Sequence, residues 1–159
     1  MVFLDGIGCN PTGSKPRFIA RLGYRVTAPL LSDLDFQVAE ADRAIAEVKP
    51  ALIVGYSRGA GVALMVTDRV KPRLLIAPSL HWVSDGRGCE GRVVVLHSAT
   101  DEGLPLDEAR VHLLRCGLAA ADLRVVGADH TMIDPPALAA LEAALDELTK
   151  EGQPVLRHD

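Results

Sequence analysis

Short apolar runs without polar alternation are the feature that most restricts the fold of this chain. One run reads Leu52-Ile53-Val54 and another reads Val93-Val94-Val95-Leu96. A strand that is covered on both faces has this continuous pattern, because both rows of its side chains are buried. Parallel strands are usually covered in this way, so the runs predict a parallel sheet between two layers of helices.

These runs alternate along the chain with segments whose apolar residues recur every three or four positions. We predict six strands, at residues 1–4, Tyr24–Ala28, Ala51–Gly55, Arg73–Ala77, Arg92–His97 and Leu123–Val126. We predict helices at Pro16–Leu22, Phe36–Val48 with a cap at Asp35, Arg58–Val70, Leu106–Cys116 and Pro135–Lys150. The alternation predicts an α/β fold, a doubly wound and mostly parallel sheet with helices on both faces. Residues that carry chemistry then belong beyond the carboxyl ends of the strands.

Length and composition indicate one globular domain. We place that domain at residues 1–150 of the 159 and expect the polar tail at 151–159 to be flexible. Hydrophobic residues make up 48% of the sequence and can form a core, whereas aromatic residues make up 4% and offer few platforms for nucleic-acid bases. The net charge is −4 and the sequence has no basic cluster, so we do not expect nucleic acid as a partner.

Cysteine usage and the amino-terminal sequence favour the cytoplasm. Cys9, Cys89 and Cys116 form no CxxC pair, and an odd, sparse set is typical of a reducing compartment. Residues 1–25 lack the features of a signal peptide, and no run approaches the roughly 18 apolar residues of a membrane span. We therefore expect a cytoplasmic protein with no membrane partner.

A Gly-x-Ser-x-Gly sequence follows the third predicted strand. It reads Gly55-Tyr56-Ser57-Arg58-Gly59 and leads into a predicted helix. The two glycines allow a sharp turn from strand to helix that exposes the serine, an arrangement called a nucleophile elbow. A glycine-rich turn with an N-capping serine has the same local sequence, so the partners of Ser57 decide between these interpretations.

A nucleophilic serine needs a histidine as base and a carboxylate that orients the imidazole. Asp101 and His130 each follow a predicted strand, at the edge where Ser57 also lies. The chain order of serine, aspartate and histidine is the one expected for a nucleophile elbow on an α/β sheet. Asp129 is the main alternative acid, although adjacent residues rarely face each other.

Three motifs make the sequence resemble the α/β-hydrolase superfamily over nearly its whole length. They are the elbow, the acid loop Asp101-Glu102-Gly103-Leu104-Pro105 and the histidine loop Ala128-Asp129-His130. More narrowly, residues 3–11 together with Ser14, Lys15 and Pro29 are similar to small lidless serine esterases of the YqiA type.

The resemblance implies a role for each residue of the triad. Ser57 is expected to be the nucleophile, His130 the general base and acid, and Asp101 the orienting carboxylate. Such a site uses neither a cofactor nor a metal. His81 and His97 also lack a second ligand at the spacing that metal sites require.

The resemblance further implies an oxyanion hole made of the backbone N–H groups of Ile7 and Arg58. Asp5 stands where the superfamily usually has a histidine. A carboxylate at this place is unfavourable beside the oxyanion unless it is turned away or paired. The glycines of this first loop, Gly6 and Gly8, also fit a plain tight turn.

Substrate contacts are expected from residues around the elbow. The segment Pro78–Gly91 joins two predicted strands and is too short for the helical lid of larger hydrolases. It contains Trp82, which could form a wall of the substrate site or cover a sheet edge. We predict that Trp82 and Tyr56 bind substrate. The Arg58 side chain fits either an anchor for an anionic acyl group or a solvated residue at a helix start.

These inferences predict an enzyme, a serine esterase that cleaves small carboxylic esters through an acyl-enzyme intermediate, with thioesters as an alternative substrate class. Its partner is a small-molecule ester. The sequence is compatible with a homodimer but does not determine the oligomeric state. The alternative from another functional class is a non-catalytic ligand-binding protein that keeps the hydrolase scaffold. Asp5 favours this alternative because its carboxylate is unfavourable beside an oxyanion.

Overall fold

Five parallel strands form the central sheet of the computed structural model, which describes residues 1–6, 12–31 and 35–150. In sheet order the strands are β1 (Val2–Leu4), β2 (Ile53–Tyr56), β3 (Arg73–Ile76), β4 (Val93–His97) and β5 (Asp122–Val125). One row of side-by-side residues crosses all five strands: Leu4, Gly55, Leu75, Val95 and Leu123. Because the strands are parallel and in this register, their carboxyl ends form one edge, where the loops that follow them meet.

Helices cover both faces of this sheet. Within the described ranges they are α1 (Ser14–Arg21), α2 (Gln37–Val48), α3 (Arg58–Met65), α4 (Leu106–Arg115) and α5 (Pro135–Lys150). One apolar cluster packs α2, α3 and α4 on one face, and a second cluster packs α1 and α5 on the other. Residues of β1 alternate between the clusters, since Val2 and Leu4 join the first and Phe3 joins the second. Burial on both faces explains the continuous apolar runs of the sequence.

Helix α5 begins and ends where the sequence predicts. Pro135 and Pro136 lie in its first turn, where a missing N–H breaks no helical hydrogen bond. Its apolar stripe, which includes Leu141 and Leu145, is buried against the sheet. No helix of the part of the chain that the structure describes is long and apolar enough to cross a membrane.

The predicted strand at Tyr24–Ala28 is wrong, so the sheet of the described residues has five strands rather than the predicted six. The segment forms a single parallel bridge to β1 through Thr27, whose carbonyl accepts the Phe3 N–H at 2.9 Å. Pro29 follows closely and cannot donate to a ladder. The apolar residues of the segment, Tyr24, Val26 and Ala28, instead pack on the cluster of α1 and α5.

The ends of four helices differ from the prediction, by one or two residues in α1, α2 and α4 and by five residues in α3. Helix α2 follows Phe36, and no side chain makes a capping bond there, so the predicted cap at Asp35 is wrong. Helix α3 ends before its predicted end because Val66 is extended. Just beyond, Asp42 accepts hydrogen bonds from the Thr67 N–H at 2.7 Å and the Thr67 hydroxyl at 2.9 Å, which hold the chain outside a helix.

The connection between β3 and β4 leaves the carboxyl edge without a lid, as the sequence predicts. Its residues, Pro78–Gly91, form turns and contain neither a helix nor a strand. Residues 7–11, 32–34 and 151–159 lie outside the described residues. The predictions for Ile7 and for the tail at 151–159 fall in these ranges.

Candidate active site

Ser57 lies at the sharp turn between β2 and α3. Its φ of 52° and ψ of −120° form a conformation that residues other than glycine rarely adopt. Two backbone hydrogen bonds hold the turn: the Ser57 N–H donates to the Ile76 carbonyl at 2.9 Å, and the Ser57 carbonyl accepts the Ser79 N–H at 3.0 Å. The backbone therefore presents the serine side chain at the carboxyl edge of the sheet, as the nucleophile-elbow interpretation expects.

The two glycines of the motif are required by close backbone contacts. A Cβ placed on Gly55 would lie 2.5 Å from the Cα of Ala60, at the start of α3. A Cβ placed on Gly59 would collide with the backbone carbonyl of Leu4, at the end of β1. Helix α3 thus approaches both β1 and β2 more closely than any side chain would allow.

Asp101 lies in the loop that follows β4, and its side chain is fully buried. Its Oδ1 accepts hydrogen bonds from the backbone N–H groups of Gly103 at 3.0 Å and Leu104 at 2.9 Å. Its Oδ2 lies 2.6 Å from Nδ1 of His130. The carboxylate is therefore held by backbone donors on one oxygen and by the imidazole on the other.

His130 links this carboxylate to the serine. An ionised carboxylate only accepts hydrogen bonds, so Nδ1 of His130 carries the proton and Nε2 is left as an acceptor. Nε2 lies 3.0 Å from Oγ of Ser57, which donates to it. The structure thus brings together the three side chains that the sequence singles out, in the geometry of a serine–histidine–aspartate triad.

The alternative acid, Asp129, points elsewhere. Its Oδ1 accepts hydrogen bonds from the Thr131 N–H at 2.8 Å and the Thr131 hydroxyl at 2.5 Å. These bonds, the hydroxyl first, lower the pKa of Asp129. The side chain is exposed and closes a local turn, whereas Asp101 is buried against the imidazole.

Tyr56 packs on the histidine loop from the strand side. Its hydroxyl donates to the backbone carbonyl of His130 at 3.2 Å, and the two rings lie 5.6 Å apart. Burial, and then the charges of nearby carboxylates, raise the pKa of Tyr56 to about 12, so the phenol stays protonated and can donate. Tyr56 therefore holds His130 in place, and its contact with substrate stays a prediction.

The Arg58 side chain lies across the elbow between two neighbours. Its guanidinium carbon is 4.4 Å from the centroid of the Trp82 ring, and its Nε donates to Oε1 of Gln37 at 3.2 Å. Trp82 in turn packs closely on Gly61 of α3. Arg58 is thus neither fully solvated nor free to swing, and buried Gln37, which sequence reasoning did not single out, helps to position it.

The first loop reaches the elbow at Gly6. A Cβ placed on Gly6 would lie 3.8 Å from the backbone nitrogen of Arg58, the first residue of α3. The first N–H groups of a helix lack partners within the helix and can bind a negative oxygen. Asp5 is turned onto its own loop, where its Oδ1 accepts the Gly6 N–H at 2.7 Å.

Sequence reasoning gave no role to Lys15, which is only 5% exposed. Its Nζ lies 3.5 Å from the centroid of the Tyr56 ring, on the first turn of α1. Burial lowers the pKa of Lys15 to about 8, although the carboxylates of Asp5 and Asp129 act in the opposite direction. The available signals were its position just before a predicted helix and its place among the residues that carry the resemblance to small lidless esterases.

His97 supports the acid loop and has a structural role. It is fully buried, and its Nε2 donates to the Leu104 carbonyl at 2.8 Å, while Leu104 donates to Asp101. His81 is exposed and bonds Ser79. In the described ranges no three His, Cys, Asp or Glu side chains are grouped so that they could hold a metal ion.

A cavity of about 520 Å³ adjoins the acid loop. It is lined by residues 99–102 and 105–107. Because the lining includes neither Ser57 nor His130, this cavity is not where an acyl group on the serine would lie. The triad instead faces the open edge of the sheet.

Comparison with known proteins identifies the fold. No family model and no curated protein sequence matches the chain. Among solved structures, a candidate hydrolase of the alpha/beta superfamily from Xanthomonas campestris pv. campestris is 21% identical, with 94% of this chain and 97% of that chain covered and a TM-score of 0.69.

Two further structures are similar. A candidate YdeN-like hydrolase from Pectobacterium atrosepticum is 18% identical, covering 97% of this chain and 92% of that chain, with a TM-score of 0.76. The esterase domain of a Rhodothermus marinus protein is 19% identical, covering 94% of this chain and 85% of that chain, with a TM-score of 0.69. The sheet, the helices on both of its faces and these likenesses establish that the chain has the α/β-hydrolase fold.

Proposed function

We propose that the protein is a serine hydrolase that cleaves small carboxylic esters through an acyl intermediate on Ser57. The observation that carries this proposal is the chain of hydrogen bonds from Ser57 through His130 to Asp101, at 3.0 Å and 2.6 Å. The likeness to an esterase domain and to other hydrolases on the same fold supports the reaction class.

The proposed reaction follows from the tautomer of His130. Oγ of Ser57 attacks the ester carbonyl while its proton passes to Nε2 of His130. The imidazolium, stabilised by Asp101, then gives this proton to the departing alcohol, which leaves an acyl-serine. A water molecule that loses a proton to Nε2 attacks the acyl-serine and releases the carboxylic acid, and the proton returns to Ser57.

The negative oxygen of each tetrahedral intermediate needs donors that are already in place. The N–H of Arg58 lies at the start of α3, next to the serine and close to the first loop. The N–H of Ile7 is the second donor that we propose. The Asp5 carboxylate is held on its own loop, since its Oδ1 accepts the Gly6 N–H at 2.7 Å.

A fluorophosphonate probe and p-nitrophenyl esters of increasing chain length test the proposal. We expect rapid labelling of Ser57, and we expect Ser57→Ala and His130→Ala to reduce ester turnover by at least about 10³-fold without unfolding the chain. Ser84→Ala, which changes an exposed serine, is the matched control and should behave as wild type. Slow labelling of Ser57, or turnover that survives either triad variant, would contradict the proposal.

The acid is tested by a matched pair of substitutions. Asp101→Asn places an amide where the imidazole proton is accepted, so we expect a loss of turnover by at least about 10³-fold. Asp129→Asn changes only the turn at Thr131, so we expect a loss of no more than a few fold. The reverse order would assign the acid to Asp129.

A second candidate function is ligand binding without catalysis, and it is favoured by the carboxylate of Asp5 beside the first loop. The probe separates the two functions, because a fluorophosphonate reacts quickly only with an activated serine. Thioesters, lactones and peracids share the same triad chemistry. An acyl-CoA assayed beside the ester panel therefore decides between ester and thioester substrates.

A further inference from the structure

Lys15 is a buried cation beside the triad that the proposed reaction does not yet use. It belongs to α1, a helix on the face of the sheet opposite α3, yet its ammonium reaches the ring of Tyr56 at the end of β2. A cation 3.5 Å from a ring centroid is attracted by the electrons of the ring face. Tyr56 in turn bonds and packs on His130, so the lysine lies one side chain away from the catalytic base.

Acidic side chains from three loops interact electrostatically with Tyr56, and two of them also interact with Lys15. Asp5 follows β1, Asp101 follows β4, and Asp129 lies in the loop between β5 and α5. Asp5 and Asp129 act electrostatically on Lys15, and all three act on Tyr56. The edge of the sheet that carries Ser57 therefore holds several negative charges in close proximity.

Those charges oppose the proposed reaction. During ester cleavage the substrate oxygen becomes negative, and neighbouring carboxylates raise the energy of that state. Asp101 is balanced by the imidazolium that forms on His130. Asp5 and Asp129 have no such balance within the triad itself.

We propose that Lys15 is a positioning residue of this site, whose ammonium offsets the charges of Asp5 and Asp129 and so lowers the energy of the oxyanion. The inference rests on the proposed ester hydrolysis. It also accounts for an aspartate in the first loop, since the lysine on the Tyr56 ring supplies the opposite charge.

The proposal predicts a specific effect on kinetics. Lys15→Met removes the charge and keeps an unbranched apolar side chain. We expect kcat to fall about tenfold at neutral pH, the size of effect that one unit charge has over several ångströms in a site partly screened by solvent. KM for an uncharged ester should stay nearly constant, because the charge acts on the transition state. The double variant Asp5→Asn with Lys15→Met should recover most of the lost kcat, since both charges are then absent.

The pH profile carries a second signature. Lys15 has a pKa of about 8, so its charge disappears between about pH 7 and 9, and wild-type kcat should fall over that interval. Lys15→Met should lack this fall. In Asp5→Asn the fall should move to lower pH, because Asp5 raises the pKa of Lys15.

Stability separates this role from a structural one. The folded chain holds the Lys15 proton less tightly than the unfolded chain, whose lysines have a pKa of about 10.4. The buried charge therefore destabilises the fold below about pH 8, and this penalty fades as pH rises towards about 10. We expect Lys15→Met to raise Tm by several degrees at pH 7 while it lowers kcat. Lys71→Met, at the opposite edge of the sheet and paired with Asp68, is the matched control and should leave kcat unchanged.

A measurement without turnover keeps this inference distinct from the proposed function. Nitrogen NMR of labelled lysine side chains, assigned with Lys15→Met, gives the Lys15 titration directly. We expect a midpoint near 8 in wild type and a lower one in Asp5→Asn. A titration midpoint of Lys15 near that of an exposed lysine, unchanged in Asp5→Asn, would overturn the inference. A Lys15→Met enzyme with the kcat and pH profile of wild type would also overturn it, and so would a Tm of Lys15→Met below that of wild type. If wild type neither turns over esters nor reacts with the fluorophosphonate, the proposed function fails while the NMR titration still reports on Lys15.

Discussion

Ser57 holds a backbone conformation that a serine rarely adopts, and its neighbours explain why the conformation persists. A residue with a positive φ of this kind costs on the order of 1–3 kcal/mol. The Ile76 carbonyl, the Ser79 N–H and the start of α3 fix the turn from three sides. The glycines on either side let β1, β2 and α3 come close enough to do so.

Gly59→Ala tests this account of the elbow. The added Cβ would meet the backbone of Leu4, which cannot move aside without shifting β1. We expect the free energy of unfolding to fall by at least about 2 kcal/mol and ester turnover to fall with it. Urea denaturation and the ester assay measure the two effects.

Gly103→Ala is the matched control for that substitution. A Cβ there would lie 3.6 Å from Oδ1 of Asp101, an ordinary contact, and the Ala N–H can still donate to the carboxylate. We expect stability within about 0.5 kcal/mol of wild type. Equal losses in the two alanine variants would show that close backbone packing is not the reason for Gly59.

The sequence was sufficient to predict the meeting of Ser57, Asp101 and His130. Each follows its own strand, and parallel strands place such residues at one edge. Lys15 and Gln37 could not be predicted in the same way. Their approach to the site depends on how α1 and α2 pack on opposite faces of the sheet, which no local pattern encodes.

Helix α3 begins directly after Ser57, and arginines hold its other end. The last carbonyls of a helix have no partner within it. Arg87 donates to two of them, those of Leu64 at 3.1 Å and Met65 at 2.7 Å, and to the carbonyl of Val66 just beyond the helix at 3.2 Å. Buried Arg73 donates to the Ala63 carbonyl at 2.7 Å. The positive side chains also interact favourably with the negative end of the helix.

Arg87→Ala should therefore weaken α3 from the end that lies away from the site. Loss of charged hydrogen bonds to three carbonyls should lower the free energy of unfolding by about 1–3 kcal/mol, measured by urea denaturation. Arg110→Ala, which removes an exposed ion pair with Asp107, is the control and should change it by less than about 0.5 kcal/mol. A stability equal to that of the control would show that water replaces the arginine at these carbonyls.

The same capping explains why the predicted end of α3 is wrong. The apolar spacing continues past Met65, so the sequence indicates a longer helix. The bonds that end it come from Asp42 and from Arg87, each more than 20 residues away in the chain. The strand predicted at Tyr24–Ala28 also fails: its apolar residues are buried on the cluster of α1 and α5, and its pairing with β1 is limited to one bridge at Thr27.

At the scale of the whole molecule, two apolar clusters fill the space on either side of the sheet, and polar side chains tie α5 to its neighbours. Glu147 of α5 accepts hydrogen bonds from Arg124 of β5 at 2.6 Å and from Arg92, next to β4, at 3.1 Å. The preceding residue, Asp146, accepts a hydrogen bond from the Tyr24 hydroxyl at 2.5 Å. These contacts connect the last helix to both the early and the late parts of the chain.

Acid should weaken this connection. The hydrogen bond from Arg124 lowers the pKa of Glu147, so Glu147 favours the folded state above the unfolded-state value of about 4.3. That contribution is lost as pH falls through the lower folded-state pKa. We expect Glu147→Gln to have a lower Tm than wild type at pH 7 and the difference to close below about pH 4.

Glu142→Gln provides the comparison, since it makes the same charge change on the same helix at an exposed position. Thermal melts of the three proteins between pH 3 and 8 measure the effect. A Tm difference between wild type and Glu147→Gln that is independent of pH, or equal to that of Glu142→Gln, would contradict the role of the arginines.

Trp82 is the only tryptophan of the chain, and its indole lies between Gly61 and the guanidinium of Arg58. The protein thus contains a built-in fluorophore whose emission comes from a single place. A substrate that displaces that arginine or excludes solvent from the indole should change the wavelength and intensity of the Trp82 emission. We therefore expect formation and breakdown of the proposed acyl-serine to change the Trp82 emission, which pre-steady-state fluorescence can follow in unmodified protein with substrates that carry no chromophore.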